Sequence, residues 1–167
     1  MATVHLQGNP MQLAGELPVV GSMAPDFTLV GTDLGEVKLN DFNGKRLVLN
    51  IFPSLDTPVC AASVRRFNKE AAGYPNTAVL CVSMDLPFAD ARFCAANDIE
   101  NVKVASAYRS DFGDKYGVKI TDGPMAGLLA RALVVIDTDR RVLATSLCPE
   151  ITEEPDYDMV KKVLAEN

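Results

Sequence analysis

Arg46-Leu47-Val48-Leu49-Asn50-Ile51-Phe52-Pro53-Ser54-Leu55-Asp56-Thr57-Pro58-Val59-Cys60 is the stretch that decides the fold. Its first seven residues form a nearly continuous apolar run, the pattern of a strand buried on both faces. Over 57–72 the pattern turns helical, with Val59, Val64, Phe67 and Ala71 roughly on one face. Ala78-Val79-Leu80-Cys81-Val82-Ser83 then repeats the buried-strand pattern. Strand, helix, strand in this order predicts a right-handed βαβ unit with parallel pairing.

Upstream, the first forty residues read as β-hairpins. Val4-His5-Leu6 and Met11-Gln12-Leu13 flank Gly8-Asn9-Pro10, and Phe27-Thr28-Leu29-Val30 and Val37-Lys38-Leu39 flank a glycine-bounded turn. Downstream, the pattern predicts a helix over 88–96, a short strand over 102–105 and a short helix over 111–116. A hairpin over 131–137 and 141–147 turns at Thr138-Asp139, and a last helix over 156–165 follows Pro155. The expected class is α/β, a thioredoxin-like fold with an N-terminal β-hairpin extension. No repeat, low-complexity tract or linker interrupts it, so 1–167 is expected to be a single domain. The fold alone assigns no function.

The bulk composition removes several classes. Hydrophobic residues are 48% and charged residues 23%, a globular balance rather than a disordered one. A formal net charge of -6 argues against nucleic acid and against anionic membranes as partners. The start lacks the basic and apolar regions of a signal peptide, and the end carries no sorting or prenylation motif. No apolar run reaches the roughly 18 residues of a membrane span; the longest candidate, 127–136, is broken by Arg131. The expectation is a soluble cytoplasmic protein. Its four cysteines, Cys60, Cys81, Cys94 and Cys148, are too few for a disulfide scaffold, so each is structural, metal-binding or catalytic.

Cys60 stands out by position. Thr57 is a preferred N-cap and Pro58 fits the first helical position, where its missing N–H costs nothing. That puts the Cys60 sulfur in the first turn, among unpaired N–H groups and the positive end of the helix dipole, both of which favour a thiolate. The preceding strand delivers this turn to the carboxyl edge of the sheet, where open α/β folds bind ligands. The plain alternative is a small apolar residue packed under the helix. A thiolate alone is also not enough for an enzyme. A free thiol of pKa about 8.5 is roughly 3% ionised at pH 7, so full ionisation gains only about thirtyfold. A transition state needs further donors, and Thr57 and a nearby arginine are the candidates. Arg131 opens an apolar strand between Ala130 and Ala132; taken alone, it reads as an edge arginine snorkelling to water.

Pro53-Ser54-Leu55-Asp56-Thr57-Pro58-Val59-Cys60 fits the pattern of proline, three residues, threonine, two residues, cysteine. On this motif the chain resembles the peroxiredoxins. Val4 to Pro10, Leu49 to Ser54, Asp85-Leu86-Pro87-Phe88-Ala89, Arg92-Phe93-Cys94, Asp122-Gly123-Pro124 and Glu154-Pro155-Asp156-Tyr157 are similar to bacterial thiol peroxidases, the Tpx subfamily. The resemblance implies that Cys60 is the peroxidatic cysteine, oxidised to a sulfenic acid. It implies that the Thr57 hydroxyl bonds thiolate and peroxide, that Pro53 shields the pocket, and that Arg131 stabilises thiolate and leaving oxygen. It further implies that Cys94 resolves the sulfenic acid as an intramolecular disulfide with Cys60, which thioredoxin reduces. The two cysteines fall on different helices, so that disulfide requires local unwinding. The implied cycle uses alkyl and lipid hydroperoxides and hydrogen peroxide, needs no metal, haem or flavin cofactor, and belongs to a homodimer. Without the resemblance, Cys94 reads as a buried helix residue, Cys81 as inert core, and Cys148 as an exposed thiol prone to off-pathway disulfides.

Other thiol chemistries fit less well. A Cys–His hydrolase needs an imidazole, and the one histidine, His5, lies in the N-terminal hairpin. The chain has no C-x-x-C for zinc or for a disulfide reductase. The remaining alternative is a peroxide sensor that oxidises at Cys60 and relays the disulfide to a partner.

Overall fold

The computed structural model describes residues 2–167. Strands β1 (Thr3–Leu6) and β2 (Asn9–Gln12) form a separate antiparallel hairpin. Its turn is Gln7-Gly8, both at positive φ, and not Gly8-Asn9-Pro10. Pro10 lies in β2 opposite His5; a two-stranded ribbon has only edges, so the missing N–H is tolerated.

The main sheet has seven strands in the order β4-β3-β7-β6-β5-β8-β9. They are β3 (Thr28–Gly31), β4 (Glu36–Lys38), β5 (Arg46–Ile51), β6 (Thr77–Ser83), β7 (Lys103–Ser106), β8 (Ala132–Ile136) and β9 (Val142–Leu147). The neighbours β5, β6 and β7 run parallel, and the rest pair antiparallel. Helices α1 (Pro58–Ala71), α2 (Pro87–Ala96), α3 (Phe112–Lys115) and α4 (Tyr157–Glu166) complete the expected order. A short 3-10 turn at Leu39–Phe42 was not legible; Asp41 holds it by accepting from the Lys38 N–H at 2.9 Å.

The period-2 alternation of the central strands sorts their side chains between two cores. Val48, Val79, Cys81, Leu133 and Val135 pack with Val64 and Phe67 of α1 and Val160 and Leu164 of α4. Leu47, Leu49, Ile51, Leu80, Val82 and Val134 pack on the other face with Met11, Leu13, Phe27, Phe112 and Tyr116. Gly117 closes that second face at φ +70°; a Cβ there would lie 2.1 Å from the Glu16 carbonyl oxygen, so only glycine fits.

The register sets up one corner. Ile51 pairs with Ala132, so Arg131 lies one step beyond, beside the residues that lead into α1. Ala132 in turn pairs with Leu147, and the Cys148 N–H donates to the Arg131 carbonyl at 2.9 Å. The end of β5, the first turn of α1, the start of β8 and the end of β9 therefore meet at the carboxyl edge of the parallel strands.

Candidate active site

Cys60 is the third residue of α1 and has no exposed surface. Pro58 takes the first helical position, as expected. Thr57 has the extended backbone of an N-cap, but its hydroxyl does not cap the helix. It donates to the Ser54 carbonyl at 2.9 Å, folding the loop before the helix instead. Two buried polar residues hold the first turn from below. The Ser63 hydroxyl donates to the Cys60 carbonyl at 2.7 Å, and Asn50 Nδ2 of β5 donates to Ser63 Oγ at 3.2 Å.

The arginine is not an edge residue. Arg131 is 2% exposed, and its Nη2 donates to Cys60 Sγ at 3.2 Å. Its Nε and Nη2 both donate to the Ile151 carbonyl, at 3.1 and 2.8 Å, which fixes the plane of the guanidinium. Nη1 is buried and has no partner among the described residues. A cavity of about 210 Å³ has Arg131 in its wall, together with Leu6, Pro53, Thr57, Pro58, Val59, Met125, Ile151 and Thr152. Apart from the guanidinium and two threonines, this lining is apolar. A free donor beside a sulfur, at the wall of an apolar cavity, can bind an oxygen and stabilise charge that grows on it.

Two supports of this geometry escaped the sequence reading. Asp85, just after β6, accepts from Ser54 Oγ at 2.8 Å and from the Leu55 N–H at 2.7 Å, and also from Ser83 Oγ at 2.8 Å. It ties the loop before Cys60 to the neighbouring strand. An acidic residue at the carboxyl end of a buried strand was the available signal. The second support is the N-terminal hairpin. The His5 N–H donates to the Pro149 carbonyl at 2.8 Å, and the Ile151 N–H donates to the His5 carbonyl at 2.9 Å. Glu150 accepts from the Thr152 N–H at 3.1 Å and the Gly8 N–H at 2.9 Å, and these donors pull its carboxyl down to about 2. The hairpin thus straps the segment whose carbonyl orients Arg131. A backbone acceptor leaves no residue-type signal, so Ile151 was invisible. His5 takes part only through its backbone; its imidazole makes no hydrogen bond among the described residues.

The other thiols separate clearly. Cys94 lies on α2, half-buried and unpaired, and its thiol is pushed up by burial and by Asp90. The structure does not join it to Cys60. Cys81 is fully buried on β6, and burial pushes it up to about 12, against the opposing effect of the Asn50 amide. Cys148 is not the exposed thiol that was expected: it is 9% exposed and donates to the Glu150 carbonyl at 3.2 Å. Among the described residues no group of histidine, cysteine and acidic side chains is arranged to hold a metal.

The Redoxin family matches residues 19–161. The chain is 60% identical to a thiol peroxidase of Mycobacterium tuberculosis over 158 residues, covering 95% of each chain. It is 55% identical to a thiol peroxidase of Corynebacterium glutamicum, covering 95% of this chain and 96% of that one. The crystal structure of a peroxiredoxin-like protein from Aquifex aeolicus superposes with a TM-score of 0.94 at 44% identity, covering 99% of this chain and 97% of that one.

Proposed function

We propose, for a chain that belongs to the thiol peroxidase family of peroxiredoxins and reduces peroxides at the expense of thiols, that Cys60 attacks, Cys94 resolves and thioredoxin is the reductant. The observation that carries the residue roles is the buried guanidinium of Arg131, bonded to Cys60 Sγ at 3.2 Å with one donor to spare.

In the first step the Cys60 thiolate attacks the terminal oxygen of ROOH. The S–O bond forms as the O–O bond breaks, and the leaving RO⁻ takes up a proton to become ROH. Nη1 of Arg131 is free to hold the leaving oxygen while Nη2 holds the sulfur, so charge moves between two nitrogens of one cation. Thr57 turns its hydroxyl from Ser54 to the bound peroxide. Pro53 and Val59 keep water from the sulfur. The apolar lining of the cavity favours alkyl and lipid hydroperoxides, with hydrogen peroxide also accepted. In the second step the Cys94 thiol displaces hydroxide from the Cys60 sulfenic acid, giving a disulfide and, with its own proton, water. Thioredoxin supplies two electrons and two protons to restore both thiols.

The 1–167 chain acts in this reading as one domain, as a homodimer, in the cytoplasm. No helix among the described residues is long and apolar enough to cross a membrane. Leu34, Leu86, Phe88 and Tyr108 form an exposed apolar patch beside α2 that a second copy would cover. The test is a coupled assay with purified thioredoxin and its reductase, varying the hydroperoxide. Many turnovers per enzyme are expected, faster with cumene hydroperoxide than with hydrogen peroxide. Consumption that stops after one equivalent would make the protein a sensor instead.

A further inference from the structure

Helix α2 is built around an anomaly. Its fully buried residues are Pro87 and Asp90. Asp90 has no exposed surface, and neither carboxylate oxygen has a hydrogen-bond partner among the described residues. Buried carboxyls are ordinarily paired, because an unpartnered one loses its hydration and regains nothing. The rest of the helix is weakly anchored. It is ten residues long, its N-cap Leu86 supplies no side-chain bond, and the residues it packs against the adjoining core, Phe93 and Cys94, are only half-buried. A helix of this length does not persist without tertiary contacts. Cys94 lies one turn beyond Asp90, on the same side of the helix.

We propose that Asp90 couples the unwinding of α2 to the loss of one proton, so that rising pH opens the helix and delivers Cys94 to the sulfenic acid on Cys60. This rests on the reading of Cys94 as the resolving thiol.

The groups that face Asp90 supply no compensating cation. Asp85, in the loop before α2, repels it; Cys81 of β6 and Cys94 of its own helix are thiols. On β7, which packs against α2, the charged residue is Lys103, and it is exposed. On α1, Arg65 is exposed and Arg66 is bonded to Glu70. Arg92, on α2 itself, points to solvent near Asp56. Burial first, and Asp85 second, push the Asp90 carboxyl up from 3.8 to about 8 in the wound helix. Unwinding returns it to water and to its ordinary value.

The sign follows from linkage. The wound helix keeps its proton, so its stability is full below about 3.8, falls as pH rises, and levels off above about 8. Between these limits the opening constant rises by about tenfold per pH unit, or about a hundredfold from pH 5 to pH 7. The same opening frees Cys94 from the burial that holds its thiol up. At acid pH the sulfenic acid therefore waits longer for its partner and is exposed to a second peroxide, which takes it to sulfinic acid.

The experiment is hydrogen exchange on the reduced full chain from pH 5 to pH 8, with each amide's rate divided by its intrinsic rate, for wild type and Asp90→Asn. The amides of 91–96 are expected to lose about a hundredfold in protection between pH 5 and pH 7 in the wild type, while those of α1 stay level; in Asp90→Asn the protection of 91–96 should stay flat. A flat wild-type profile, or the same slope in Asp90→Asn, overturns the proposal. In parallel, one equivalent of peroxide is added at pH 7 and the disulfide is timed by quenched mass spectrometry. Asp90→Asn should close it at least about tenfold more slowly than wild type, and equal rates overturn the proposal. If no Cys60–Cys94 link forms at any pH while 91–96 still open as expected, the role of Cys94 fails and the proton-linked opening stands.

Discussion

Arg131→Met isolates the group on which the site turns. Methionine roughly fills the aliphatic volume of the 2%-exposed side chain and removes the guanidinium. Two contributions to catalysis disappear. The bond from Nη2 to Cys60 Sγ, at 3.2 Å, is charge-assisted and of a kind that contributes about 1.5–3 kcal/mol. The free Nη1 is a preorganised donor, and deleting one such donor typically costs about 10² to 10³ in rate. The two belong to one cation and do not add fully. The expected loss in the second-order rate of Cys60 oxidation is about 10³-fold, equivalent to about 4 kcal/mol. Folding suffers less. The Ile151 carbonyl loses two donors, a cost of about 1–3 kcal/mol and a fall in Tm of about 3–10 °C. The chain has no tryptophan to report oxidation by fluorescence. The assay is therefore rapid-quench mixing of the reduced protein with cumene hydroperoxide, read as intact mass, with a thermal melt alongside. A folded Arg131→Met variant that oxidises within threefold of wild type would refute the catalytic reading of the arginine.

Cys94→Ser should leave the first oxidation of Cys60 unchanged and abolish turnover with thioredoxin; an undiminished steady-state rate would mean that another thiol resolves. Asp85→Asn removes a negative acceptor shared by Ser54, Leu55 and Ser83, so the loop before Cys60 should loosen. Peroxide oxidation is expected to slow by about tenfold to a hundredfold, corresponding to about 1.4–2.7 kcal/mol, with a smaller effect on the disulfide step, measured in the same quench experiment. Cys81, pushed up to about 12 by burial, should resist iodoacetamide at pH 8 in the folded protein and react only on denaturation, as read by peptide mapping.

Much of the architecture was legible because it rests on period and punctuation. The apolar run into Phe52, the Thr57-Pro58 start of α1 and the second apolar run at Ala78 each have one reading, and together they place Cys60 at the carboxyl edge of the sheet. The details that failed are those decided by distant contacts. Pro10 sits in a strand because its partner His5 turns its own N–H and carbonyl to the 149–151 segment, so no ladder bond is asked of the Pro10 nitrogen. The Thr57 hydroxyl leaves the helix uncapped and donates instead to the Ser54 carbonyl, an acceptor that exists only once the preceding loop has folded back. Arg131 reads as an edge residue until the register sets it beside α1, and Cys148 reads as exposed until the Glu150 to Glu154 segment folds over it. Asn50 and Asp90 were hidden in apolar or helical patterns, where a single polar residue breaks no period. The sequence already put Cys60 and Cys94 on different helices, but spacing does not measure the distance between them, and only the fold shows both thiols unpaired.

The central claim is that the sulfur of Cys60 takes the oxygen and passes the oxidation to Cys94. The most direct measurement is peptide mapping of the reduced protein after one equivalent of cumene hydroperoxide, beside Cys60→Ser under the same conditions. The account predicts that the wild type consumes the peroxide and yields a linked pair of peptides carrying Cys60 and Cys94, while Cys60→Ser leaves the peroxide intact. Peroxide consumed at an equal rate by Cys60→Ser, or a wild-type disulfide that omits Cys60, would contradict it.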